Sequence, residues 1–92
     1  MEKAIEKYFR DQAKKHGALA LKFVSPGASG VPDRIVIFPG QNCEFVELKK
    51  TGGQLRPVQK VMISKLEALG QTVTVIDSKE AVDVYWKARR AR

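Results

Sequence analysis

The sequence predicts an α/β domain in which a mixed four-stranded sheet is flanked by helices, in the order α-β-β-β-α-β-α. Three observations predict it. Residues 2–16, a segment from Arg56-Pro57 to Gly70, and a segment after Asp77-Ser78 each repeat apolar side chains at helical spacing. Ile35–Phe38 and Cys43–Lys49 are apolar runs separated by Pro39-Gly40-Gln41-Asn42, which reads as an antiparallel hairpin. Thr72–Ile76 is β-branched and follows a helix, so it should return parallel to the preceding strand through a right-handed crossover.

Each element has its own signals. In the first helix Ile5, Tyr8, Phe9 and Gln12 recur at helical spacing, and Gly17 marks the end. His16 is placed to interact with the terminal carbonyls. Ala18–Val24 reads as the first strand, broken by Lys22. Ser25-Pro26-Gly27-Ala28-Ser29-Gly30 is a loop by composition; its glycines suit either close approach to a phosphate or a plain connection. Lys50-Thr51-Gly52-Gly53-Gln54 is a turn carrying a cation. Pro57 suits a helix first turn, and Val58, Val61, Met62, Leu66 and Leu69 are the expected buried face, with Gln59 at its border. Asp77-Ser78-Lys79-Glu80 offers an N-cap with an acid three residues on. Ala81, Val84, Tyr85 and Ala88 form the expected stripe of the last helix. Val82 and Trp86 flank it as spare apolar surface. Arg89, Arg90 and Arg92 read as a basic tail.

Composition bounds the function. Ninety-two residues make one small domain, residues 1–92, with a thin core. A single cysteine rules out an internal disulfide or a cysteine metal cluster, and Cys43 reads as a small buried strand residue. No apolar run approaches the ~20 residues of a membrane span, and the chain opens on a charged helix without a signal peptide, so the expected setting is cytoplasmic, in a bacterial or phage-infected cell. Lys plus Arg number 17 against 10 acids, a net charge of +7, which suits a polyanionic partner.

The chemistry concentrates between Gly30 and Lys49. Alternation along a strand points Glu47 and Lys49 one way and Leu48 the other. The hairpin brings Asp33, at the start of one strand, beside Glu47 and Lys49, at the end of its partner. Acids and lysines at strand ends are commonly solvated. Here, two carboxylates and an ammonium converge on a space that suits a divalent cation and a water, the requirements of phosphodiester hydrolysis. No Ser-His pairing is evident, and nothing points to a nucleophilic side chain. Glu2 and Glu6, four apart, share one face of the first helix beside its apolar stripe.

Pro32-Asp33 and Glu47-Leu48-Lys49 resemble the two halves of the PD-(D/E)XK nuclease motif. Gly30-Val31-Pro32-Asp33-Arg34, the Glu47-Leu48-Lys49 strand and Gln59 are similar to the virus-type replication-repair nuclease (VRR-NUC) domains of that superfamily, as found in phage or prophage. The resemblance runs from the first helix through the last strand. It implies a restriction-endonuclease-like core and a structure-specific endodeoxyribonuclease using Mg²⁺ or Mn²⁺. It implies that Asp33, Glu47 and the Leu48 backbone carbonyl hold the metal, and that Lys49 positions the attacking water. It also implies that a first-helix glutamate joins the site, Glu6 directly or through water with Glu2 as fallback, and that Gln59 contacts a phosphate or orients Lys49. Lys22, Ser25, Arg34, Lys50 and Arg56 are the expected DNA contacts. A homodimer acting on branched DNA such as Holliday junctions in replication or repair is expected, because a two-fold dimer matches a four-way junction. The alternatives are a non-catalytic DNA-binding module of the same fold, a flap or duplex nuclease, and a site-specific restriction enzyme. The last needs more base-reading elements than this short chain carries.

Overall fold

The computed structural model describes residues 3–40 and 42–89. Its element order is the expected one: α1 (Lys3–Lys15), β1 (Leu19–Lys22), β2 (Arg34–Ile37), β3 (Cys43–Leu48), α2 (Pro57–Ala68), β4 (Val73–Ile76) and α3 (Lys79–Lys87). The four strands form one mixed sheet in the order β1-β2-β3-β4. β1 pairs with β2 and β2 with β3 antiparallel, and β4 returns parallel to β3. β1 is shorter than the apolar run that predicted it, because Ala18 instead packs in the core and its N–H caps Ala13 at 3.0 Å.

The core lies on one face of the sheet. Ile5, Phe9 and Ala13 of α1 and Val82, Tyr85 and Trp86 of α3 close over Val36, Val46, Leu48 and Ile76. Trp86 and Val82 are therefore not spare surface. Both are almost fully buried, while Val84, expected on the inner stripe, is 69% exposed. The inner face of α3 is rotated by about 100°, one residue, from the expected stripe. The cause is the Trp86 ring, which fills the space between Phe9, at 5.4 Å, and Phe38, at 5.7 Å between centroids, and stacks on His16 at 4.9 Å. His16 Nδ1 lies 2.8 Å from the Gln12 carbonyl, so the helix-end role expected of it is met. Ser78, rather than Asp77, caps α3, its Oγ accepting from the Ala81 N–H at 3.0 Å.

α2 lies on the opposite face and departs further from expectation. Its one buried side chain is Gln59, while Val58, Val61 and Leu69 are exposed. Its apolar residues are spread around the helix, so no narrow stripe commits to the sheet. Coverage of this face is incomplete, which also exposes Cys43 against the expectation of burial: it pairs in register with exposed Ile37, itself opposite exposed Leu19.

The chain end is corrected as well. Arg89 does not belong to a solvated tail. Its guanidinium donates to Glu44 Oε1 from Nη2 at 2.7 Å and from Nε at 2.9 Å, and it lies 3.6 Å over the Tyr85 ring. Arg90, Arg92, Gln41 and Glu2 lie outside the described residues.

Candidate active site

Hairpin register builds the site. Arg34 is paired with Val46, and one residue beyond that pair the Asp33 N–H donates to Glu47 Oε1 at 3.1 Å. The reciprocal contact runs from the Leu48 N–H to Asp33 Oδ1 at 3.2 Å. Alternation sends Leu48 into the core and Glu47 and Lys49 to the other face, where Lys49 Nζ sits 3.3 Å from Glu47 Oε2. Asp33, Glu47, Leu48, Lys49, Lys50, Gly53 and Gln54 line an open cleft of about 400 Å³.

α2 contributes Gln59 from its first turn. The buried amide donates from Nε2 to Glu47 Oε2 at 3.1 Å. Its Oε1 accepts from Lys49 Nζ at 3.0 Å and from the Arg56 backbone N–H at 2.8 Å. One side chain thus fixes a carboxylate, an ammonium and the helix start together. Gly30 sets the spacing of this arrangement. Its φ is +83°, and a Cβ there would fall 2.4 Å from the Val58 carbonyl oxygen. Only glycine lets the loop before Pro32-Asp33 lie against the start of α2.

Asp33 is electrostatically unusual. Burial, then the neighbouring Glu47 carboxylate, push its carboxyl up from 3.8 to about 6, against the Leu48 N–H and Arg34, which favour the charged form. Its Oδ2 is buried and has no hydrogen-bond partner among the described residues. A buried carboxylate oxygen without a donor, beside a second carboxylate, is the donor set that a hard divalent cation accepts. Among the described residues no three His, Cys, Asp or Glu side chains gather as a metal cluster. The set available here is two carboxylates and a backbone carbonyl, and Mg²⁺ ordinarily takes one or two carboxylates and keeps several waters.

The remaining predicted residues divide. Glu6 is near enough to add to the upward push on Asp33, but its Oε1 lies 2.5 Å from Arg34 Nη2. Arg34 is not on the surface to meet DNA. It is 4% exposed, faces α1 and also donates from Nη1 to the Ala20 carbonyl at 3.3 Å. The β2 alternation that turns Val36 inward turns Arg34 inward too. Lys50 is exposed and lines the cleft, whereas Lys22, Ser25 and Arg56 do not line it. Two cleft residues were read only as turn formers, Gly53 and Gln54. The signal was there in Gly52-Gly53 so soon after Lys49: the Gly53 N–H closes on the Lys50 carbonyl at 2.8 Å and folds the turn back beside the site.

Comparison with known proteins agrees with this architecture. The family model for the VRR-NUC domain matches residues 2–80. The chain is 44% identical over 79 residues to the inferred nuclease p44 of Acyrthosiphon pisum secondary endosymbiont phage 1, covering 86% of this chain and 85% of that protein. A solved VRR-NUC domain superposes with a TM-score of 0.88 at 30% identity, over 94% of each chain. Among the described residues no helix is long and apolar enough to cross a membrane. With its sheet order, its hairpin acids and its sequence all in agreement, the chain belongs to the VRR-NUC family of nuclease domains.

Proposed function

We propose that this nuclease domain is a metal-dependent structure-specific endodeoxyribonuclease that hydrolyses phosphodiester bonds of branched DNA with Mg²⁺ or Mn²⁺. The observation that carries the reading is Asp33 Oδ2, buried and without a donor beside Glu47 in an open cleft. Asp33, Glu47 and the Leu48 carbonyl are the residues to hold the cation. When bound, such an ion polarises the phosphoryl oxygen and stabilises the charge that develops in the transition state. Lys49 holds the attacking water. Its ammonium is oriented by Gln59 and Glu47, so it cannot swing away when the water moves. Lys50, at the cleft rim, contacts the DNA backbone. The net charge of +7 draws the polyanion in without sequence preference.

The enzyme acts as a homodimer whose two sites match the two-fold symmetry of a four-way junction. Trp86 and Val82 cannot support this, being core. The exposed strip Leu19, Leu21 and Ile37 on the sheet face that α2 leaves open supports it instead.

The test is incubation with labelled four-way junction, flap, splayed-arm and duplex DNA in Mg²⁺, Mn²⁺ or EDTA, with Asp33→Ala and Glu47→Ala as controls. Junction cleavage in metal and none in EDTA or in either variant is expected. Undiminished cutting in EDTA overturns the metal mechanism. Binding without cutting in any metal identifies a non-catalytic module. Sedimentation at micromolar concentration decides assembly: a species at 10.3 kDa, the mass of one chain, removes the paired cut.

A further inference from the structure

Two carboxylates of the site face the cleft, and a third is held back from it. Glu6 sits on α1 with its Oε1 2.5 Å from Arg34 Nη2, although it is near enough to act on Asp33. Both partners are largely withdrawn from water, Arg34 at 5% and Glu6 at 21% side-chain exposure. This is a costly way to build a structural link. A buried guanidinium is often replaced by an apolar side chain of similar volume with no loss of stability. Arg34 also leaves its Nε buried without a partner among the described residues, so the pair is not a saturated hydrogen-bond network. A residue retained at that cost next to Asp33 is better explained by what its charge does there.

We propose that Arg34 is a positioning residue that withholds Glu6 from the cation site, leaving Asp33, Glu47 and the Leu48 carbonyl as its protein donors. The inference rests on the reading of those three groups as the metal site. With Arg34 and Lys49 present, the acids Glu6, Asp33 and Glu47 leave a net charge of minus one around the cleft. Freeing Glu6 doubles that charge and offers a third carboxylate. Cation affinity rises with ligand charge, but each added carboxylate removes a coordination position that water or a substrate phosphate needs. Arg34 therefore keeps the ion weakly held and open.

The experiment measures Mn²⁺ binding to the full chain without DNA, by titration calorimetry, for wild type, Arg34→Met, Glu6→Gln/Arg34→Met and Asp33→Asn. Arg34→Met is expected to bind Mn²⁺ about 5- to 20-fold more tightly, because it adds one net negative charge and one ligand. The double variant should return to within about 3-fold of wild type, since the gain acts through Glu6. A loss of packing alone does not tighten binding. Unchanged or weaker binding by a folded Arg34→Met overturns the proposal. Should that variant not fold, wild type and Glu6→Gln decide the matter through water-proton relaxation by bound Mn²⁺. Equal numbers of bound waters support the proposal, and an extra water in Glu6→Gln places Glu6 on the ion and overturns it. Asp33→Asn should bind no Mn²⁺; undiminished binding there removes the site reading itself, a result separate from any failure at Arg34.

Discussion

The Asp33 N–H donates to Glu47 Oε1 at 3.1 Å, so the hairpin that brings these two acids together also satisfies one oxygen of the second. The same contact leaves two negative charges close together with burial around the first. Asp33 therefore carries an unfavourable charge in the metal-free protein, its carboxyl raised to about 6 chiefly by burial and then by Glu47. The folded state binds this proton more tightly than the unfolded chain does, so stability falls as pH rises from about 4 to about 6 and is level above. Asp33→Asn removes the titrating group. In EDTA, the difference in stability between the variant and wild type should grow across that window in favour of Asn, by at most about 2 kcal/mol once solvent screening of a partly exposed carboxyl is allowed for. Melts at pH 4.5 and 7 measure it. In Mg²⁺ the order should reverse, because only wild type gains stability from the ion. A difference that shrinks with rising pH contradicts the electrostatic account.

Gln59→Ala should affect both rate and stability. Truncation leaves Glu47 Oε2, Lys49 Nζ and the Arg56 N–H without their shared partner in a buried setting. A loss of about 1–3 kcal/mol is expected in urea unfolding. Cleavage should fall about 10- to 100-fold under conditions where the variant is fully folded, the size of effect seen when a supporting residue around a metal site is removed. Lys49→Ala should cost more in rate and leave DNA affinity, measured by anisotropy in Ca²⁺, within about 3-fold, since it removes one cation among many.

Gly30→Ala tests the link between the loop and α2. The added Cβ meets the Val58 carbonyl oxygen at 2.4 Å and the backbone stays at positive φ. About 2 kcal/mol or more of stability should be lost, and the rate should fall as α2 moves Gln59 away from Lys49. Gly27→Ala, at a glycine with open space around its Cβ position, is the control and should change neither.

What could be read from the sequence depended on how local the cause was. The antiparallel register and strand alternation fix Asp33, Glu47, Leu48 and Lys49 relative to one another, and all of that is written within the Gly30–Lys49 stretch. The parallel return of β4 follows equally from chain connectivity. The inner faces of α2 and α3 were misread because neither depends on its own helix alone. Trp86 turns inward to fill space between Phe9 and Phe38, and α2 turns Gln59 inward because Glu47 and Lys49 wait beneath it. Arg34 and Glu6 stand 28 residues apart, so their pairing has no local signature. A lysine- or arginine-rich segment reads as solvated until a buried acid is found to face it.

That last point gives the prediction for Arg89. Read as the start of a basic tail, it would contribute to DNA affinity and little to stability. The structure buries it against Glu44, with side chains 12% and 4% exposed, and lays its guanidinium on Tyr85. Arg89→Ala leaves the Glu44 carboxylate buried without its main counter-charge, and breaking one partner out of such a pair costs about 3–5 kcal/mol. A large drop in melting temperature is therefore expected, with the dissociation constant for duplex DNA unchanged within about 2-fold below the transition. Glu44→Gln/Arg89→Met should recover much of the lost stability, because removing both charges removes the desolvation cost together with the attraction. The opposite result, a stable Arg89→Ala protein with weakened, less salt-dependent DNA binding, would show that this side chain serves the substrate and not the clasp between β3 and α3.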